Sequence, residues 1–404
     1  MTLTILFDLD DTLLDNDIDK FLPAYLRELS GHMDGVPSSV FIDQLLFATQ
    51  NMVKKKGPQK FLEEVFDENF YPGLDVTKRE WQKPLDEFYK NKFPELKYLT
   101  KPRPEAVRAI EYAFNCGHQV IIATNPLFPK IAIQHRLDWA NLSSNKFPFA
   151  LITSFENFHF SKPNPAYFLE ILAQLGWPEQ PVLYIGNDFN EEILPAVELG
   201  FPFYWVTNNG KQLPADAAPG STSGPISGVI SWMEKMEGMA LPYYPRNPKA
   251  LIHALSVTPA ALETLSKELP GYVMAMRPRP EDWSLTEILC HLRDVDLEIN
   301  LPRMKNICLD ENPFLPGIAS DIWAEERKYS LQDGGKALRD FMNIRSSLVD
   351  QLAALLPGGW ECPARHSIFG PTHVAELVSF IFTHDQNHIR QARDAVKTAL
   401  ARST

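Results

Sequence analysis

No stretch of this sequence approaches the roughly 20 consecutive apolar residues that a membrane-spanning helix requires, so no membrane partner is expected. Basic charge is also short. Against 39 Lys and Arg stand 51 Asp and Glu, a formal net charge of -12, and sequence-independent nucleic-acid binding needs the opposite balance. Cysteine is scarce: Cys116, Cys290, Cys308 and Cys362 form no CxxC pair. They read as reduced thiols of a cytoplasmic protein, which argues against a disulfide framework or a thiolate metal site. The opening MTLTILFDLDD turns acidic after a short apolar run, unlike a secretory signal peptide. Internal repeats are absent. The one biased tract, 208–228, is dense in Gly, Pro, Ser and Ala and reads as a loop.

What is present is length and rhythm. A chain of 404 residues exceeds one ordinary core, so two domains are expected. Apolar runs at 3–7, 119–123, 149–152 and 182–185 read as strands, and amphipathic stretches such as 104–115 and 165–175 lie between them. That alternation predicts an α/β, Rossmann-like core with a parallel sheet covered on both faces. Residues from about 15 to 100 break the rhythm and read as a helical cap inserted after the first strand. Helical spacing over 226–236 closes the first domain at 237, and the proline-rich stretch within 238–248 reads as a linker. Over 249–404 the strand rhythm disappears. Amphipathic segments at 249–269, 284–309, 332–356 and 372–400 predict an all-α four-helix bundle.

Four short motifs in the first domain carry chemistry. Asp8 and Asp10 follow the first strand directly, where open α/β sheets bind ligands. An aspartate can accept a phosphoryl group as nucleophile, and a second acid can protonate the leaving alcohol and then activate water. An aspartate-rich turn has the same appearance. Thr124 ends the second motif, Val120-Ile-Ile-Ala-Thr-Asn125, where its hydroxyl and the nearby backbone can hold phosphoryl oxygens; an ordinary Thr-Asn-Pro turn is the alternative. Lys162, in Ser161-Lys-Pro-Asn-Pro165, can neutralise charge on the transferring group, or be simply a solvated lysine. The fourth motif, Val182-Leu-Tyr-Ile-Gly-Asn-Asp-Phe-Asn-Glu-Glu192, sets acids after a strand and a glycine turn, suited to a hard cation or to an acidic helix start.

In order, spacing and strand-end placement these motifs resemble the haloacid-dehalogenase superfamily over about residues 1–237. The resemblance implies Asp8 as nucleophile, Asp10 as acid and base, and Mg²⁺ held by Asp8, the Asp10 carbonyl and an acid of the fourth motif. It places Asn125 among the cofactor-binding residues. It also separates subclasses, because the family's dehalogenases lack an acid two residues after the nucleophile. One departure stands out: Asn187 occupies the position directly after the glycine where aspartate is usual, so Asp188, with Asn187 beside it, takes the ligand role. Glu192 sits where a second aspartate is usual.

In the bundle, His384 and His388 are four apart and share one helical face. His291 lies about two turns into a helix that Ser284 and Glu287 open with capping-box spacing. Three imidazoles on two helices can form a metal site with open positions, or remain hydrogen-bonded core histidines. His253, His366 and His373 are taken as surface or loop residues. Residues 247–400 resemble the DinB superfamily of four-helix bundles, whose members include metal-dependent thiol transferases. Neutral histidine ligands suit Zn²⁺ or Ni²⁺, with Fe²⁺ and Mn²⁺ compatible. The whole reads as a Mg²⁺-dependent phosphohydrolase acting on a small-molecule phosphate ester, joined to a metal-binding bundle. A low-molecular-weight thiol and a homodimer are open partner options. The alternatives are a phosphatase with a non-catalytic binding or oligomerisation bundle, and a phosphosugar mutase.

Overall fold

The computed structural model describes residues 2–239 and 242–403; residues 240 and 241 of the expected linker lie outside the described residues, as do 1 and 404. The main division of the chain into two compact units falls between Tyr244 and Pro245.

The first unit is built on strands β1 (Thr4–Phe7), β4 (Gln119–Ile122), β5 (Leu151–Ile152), β6 (Val182–Gly186), β7 (Phe203–Val206) and β8 (Thr222–Gly224). They form one six-stranded parallel sheet in the order β5-β4-β1-β6-β7-β8. β1 is buried along its whole length, as a central strand covered on both faces must be. Phe7 is in register with Ile122 on one side and Ile185 on the other, so the residues after β1, β4 and β6 emerge together at one sheet edge. This brings three of the four motifs side by side. β8 lies inside the tract read as loop from its composition. It is a three-residue edge strand, too short and too poor in apolar residues to show a strand pattern.

An antiparallel pair, β2 (Leu14–Asn16) and β3 (Thr100–Pro102), marks where the chain leaves this core and returns. Between them run the helices Ile18–His32, Ser38–Lys54, Leu62–Phe70 and Lys78–Glu87. Their shared core is aromatic, with Phe21, Phe41, Phe70, Trp81, Phe88 and Phe93 all buried.

The second unit is mostly helical, with long helices Pro248–Ser266, Leu285–Val295, Gly334–Ala353 and Val374–Ser403. Asn247 caps the first by accepting from the Ala250 amide. Ser284 and Glu287 form the reciprocal capping box that their spacing predicts. A small sheet was not expected here: β9 (Phe314–Leu315), β10 (Pro363–His366) and β11 (Gly370–His373) pair in the order β11-β10-β9. His366 lies on β10 and is buried, its Nδ1 accepting from the Ile368 amide at 3.2 Å, which corrects its reading as a surface residue. A second correction concerns the thiols. Cys308 and Cys362 form a disulfide with Cα atoms 5.6 Å apart. The 54 residues between them hid the pairing from a reading based on local spacing. Cys116 and Cys290 are free.

The helices are pinned by a buried charge cluster. The Arg345 guanidinium pairs with Asp296 at 2.6 Å and with Asp385, while Thr258 donates to Asp385 at 2.7 Å and the Leu255 carbonyl accepts from Arg345. No single stretch of sequence shows this, since each charge is buried only by partners on other elements.

Candidate active site and metal centre

Asp8 leaves β1 with its amide bound to the Ile185 carbonyl at 2.9 Å, so its backbone is still tied to the sheet where its side chain enters the site. The carboxylate is buried and accepts from Lys162 Nζ at 2.6 Å; the same ammonium reaches Glu192 at 2.6 Å. Glu192 in turn accepts from the amides of Asn187 at 2.8 Å and Asp188 at 3.1 Å. This is possible because Gly186 has no side chain: a Cβ there would collide with the Glu192 carboxylate. Glu192 thus shapes the fourth motif and positions Lys162.

Two buried carboxylates therefore share one ammonium. Burial pushes the Asp8 carboxyl well above the usual aspartate range, with Glu192 adding to the rise and Lys162 opposing it. Burial works against the Lys162 charge too, but Asp8 and Glu192 outweigh it and hold the ammonium protonated. The cluster has more negative than positive charge, a deficit that a bound cation would offset.

Asp10 is gripped from both sides. Asn16 Nδ2 donates to one carboxylate oxygen at 2.8 Å and Arg136 pairs with the other. Thr124 is buried, with its carbonyl held by Thr153 at 2.6 Å and Tyr167 at 2.7 Å. Asn125 accepts from the Lys162 amide and donates to Glu191, both at 3.3 Å. Asn187 is half-buried and its side-chain oxygen accepts from Thr12 at 2.9 Å. Asp188 is exposed and uses one carboxylate oxygen to cap the next helical turn, accepting from Asn190 at 2.8 Å and Glu191 at 2.7 Å. All of the residues predicted for this site (Asp8, Asp10, Thr124, Asn125, Lys162, Asn187 and Asp188) line one cavity of about 670 Å³. Asn16, Arg136 and Glu191 line it as well. Sequence reasoning missed Asn16 and Arg136, for neither sits in a motif and Arg136 reaches Asp10 across 126 residues.

In the second unit, His291, His384 and His388 converge as the spacing requires. His384 Nε2 lies 3.1 Å from both His291 Nε2 and His388 Nε2. Burial drives the His388 pKa down to about 4, with His384 contributing, and His291 lower still, to about 2. Both rings are neutral at physiological pH, the form that ligates metal. Gln391 accepts from His388 Nδ1–H at 3.0 Å, leaving the Nε2 lone pair facing the cluster, and Trp283 stacks against the His388 ring. The ligating nitrogens lie within 4.8 Å of one another, so the donor set and its spacing fit one transition-metal ion.

A capped parallel-sheet domain has a charged cavity at its strand ends, and a helical bundle bearing three converging histidines follows it in the chain. Residues 2–200 match the family described as haloacid dehalogenase-like hydrolase, and residues 254–392 match the DinB superfamily, so the chain carries one domain of each. A curated relative, the uncharacterized protein YuaE of Bacillus subtilis (strain 168), is 24% identical over 148 residues, 33% of this chain and 91% of that one. Among solved structures, a HAD phosphatase from Thermococcus onnurineus is 18% identical, covering 60% of this chain and 100% of that one at a TM-score of 0.36. A 2-haloacid dehalogenase from Pseudomonas syringae pv. Tomato DC3000 is 20% identical, covering 58% and 99% at 0.41. YfiT from Bacillus subtilis, described as a probable metal-dependent hydrolase with an unusual four-helix bundle topology, is 17% identical, covering 38% and 92% at 0.35.

Proposed function

We propose that the first unit is a Mg²⁺-dependent phosphohydrolase that passes the phosphoryl group of a small phosphate ester to Asp8 and then to water. The observation that carries this reading is the placement of Asp8, buried against the Lys162 ammonium, with Asp10 two residues on in the same cavity. A carboxylate oxygen of Asp8 attacks phosphorus and the bond to the ester oxygen breaks. The departing alcohol takes a proton from Asp10. Asp10 then removes a proton from the water that attacks the aspartyl phosphate, which releases inorganic phosphate and restores Asp8. Lys162 offsets charge on the nucleophile and phosphoryl oxygens, and Thr124 and Asn125 border the space those oxygens occupy. Asn16 and Arg136 orient Asp10 for both proton transfers.

Asp8, the Asp10 carbonyl and the side-chain oxygens of Asn187 or Asp188 would hold Mg²⁺, an all-oxygen set suited to a hard cation. When bound it supplies positive charge to the phosphoryl oxygens and leaving group. Phosphoryl transfer is favoured over dehalogenation because Asp10 is present and held in place. The test is release of phosphate from simple monoesters with and without Mg²⁺. Activity that is unchanged by a chelator, or halide release without phosphate release, contradicts the reading.

The three-histidine cluster of the second unit is read as a site for one Zn²⁺ or Ni²⁺ ion, with positions left for water or a thiol. What supports this is the meeting of three Nε2 atoms, one of them fixed by Gln391.

A further inference from the structure

The cavity above Asp8 is far larger than a phosphoryl group needs. Its volume of about 670 Å³ is in the range that encloses a drug-sized ligand. Away from Asp8 and Asp10 one large part of its wall is apolar, where Leu22, Leu26, Phe41, Phe66, Phe70 and Phe128 all line it. Two of the tyrosines that line it, Tyr25 and Tyr89, keep to this character, since their hydroxyls bind each other at 2.8 Å. Hydroxyls of a leaving group set against this apolar part would be desolvated without partners, which counts against binding there.

The charges in the wall narrow the choice further. Three cations line the cavity and each already has carboxylate partners: Lys162 with Asp8 and Glu192, Arg136 with Asp10, Lys78 with Glu63 and Asp67 at 2.7 Å each. Around Lys78, Glu63, Asp67 and Asp86 also line the wall, so this stretch of the cap carries excess negative charge. Among the described residues no cation is left there for a second phosphate or a carboxylate of the substrate.

From this we infer that the substrate is a phosphate monoester of a large, uncharged, mainly apolar alcohol, bound with its hydrocarbon body among the cap helices and its phosphate at Asp8. The inference rests on the phosphohydrolase reading for its chemistry and on the cavity for its substrate class. It disfavours bisphosphates and other esters that carry a second anionic group.

The test compares n-decyl phosphate with ethyl phosphate on the full chain, since both leaving groups are primary alcohols and differ chiefly in apolar surface. Methylene burial is favourable at each step, so kcat/KM for the decyl ester should exceed that for the ethyl ester by about 100-fold or more, mostly through KM. A second phosphate at the far end, as in 1,10-decanediol bisphosphate, should lower kcat/KM at least ~10-fold against the decyl ester, because it meets like charge. Leu26→Asp should shrink the decyl-to-ethyl ratio at least ~10-fold by placing a charge on the apolar wall. Equal turnover of both esters, or a preference for the ethyl ester or the bisphosphate, overturns the inference and leaves the phosphohydrolase reading standing. If neither ester releases phosphate, the phosphohydrolase reading falls and calorimetric titration judges the cavity. Binding of decyl phosphate with a negative heat-capacity change, and none of ethyl phosphate, then supports the apolar subsite, and failure to bind decyl phosphate overturns it.

Discussion

Lys162 is the residue on which the first site turns, since it alone separates two buried carboxylates. Lys162→Met would leave Asp8 and Glu192 facing each other without a cation. Removing one partner of a buried ion pair costs about 3–5 kcal/mol, so urea unfolding of the first unit should shift by that order and turnover should fall severely. A variant with unchanged stability would mean that the ion cluster is not formed in solution. In the second unit, His388→Ala should lose most of a copurifying transition metal, because two imidazoles cannot hold it comparably. His366→Ala is the control. Its ring is bound to the Ile368 amide and is not among the three converging histidines, so metal content measured by elemental analysis should not change. Equal metal in both variants would return the triad to the role of core histidines.

Among the elements, the bundle helices depend on Arg345 and its two aspartates. Burial works to raise the Asp385 carboxyl, but Arg345 outweighs it and holds the pKa at about 2 against an ordinary 3.8. The folded state therefore binds fewer protons than the unfolded chain between those values. The contribution of Asp385 is fully present above about pH 3.8 and is lost as pH falls toward 2. Arg345→Leu should destabilise the bundle by about 3–5 kcal/mol, read from the bundle transition in thermal or urea unfolding. A variant as stable as the parent would show that the cluster contributes nothing. This cluster was invisible in the sequence, where Asp296, Arg345 and Asp385 look like ordinary helix charges. β1, β4 and β6 were legible for the opposite reason: each is an apolar run that stops abruptly at polar residues lining the cavity. β8 was not, because an edge strand of Thr, Ser and Gly has no apolar face to reveal it. The capping box at Ser284 could be read because both of its partners lie within one turn, whereas the disulfide closes over 54 residues.

For the whole molecule, two proposed sites stand on two separately built units. The helix Val229–Glu237 buries Val229, Trp232, Met233 and Met236 in the first core, so a fragment must keep it to fold. A fragment ending at Gly238 should be soluble and retain Mg²⁺-dependent phosphate release close to that of the full chain. An inactive fragment beside an active full chain would show that the bundle completes the first site. The proposed mechanism requires that Asp8 itself carries the phosphoryl group. It is tested most directly by acid-quenching the protein during turnover of a monoester and locating the added phosphoryl group by mass spectrometry of its peptides. The group is expected on Asp8, dependent on Mg²⁺ and absent from an Asp8→Asn variant that is folded but inactive. A phosphoryl group on another residue, or near-normal turnover by Asp8→Asn, would contradict it.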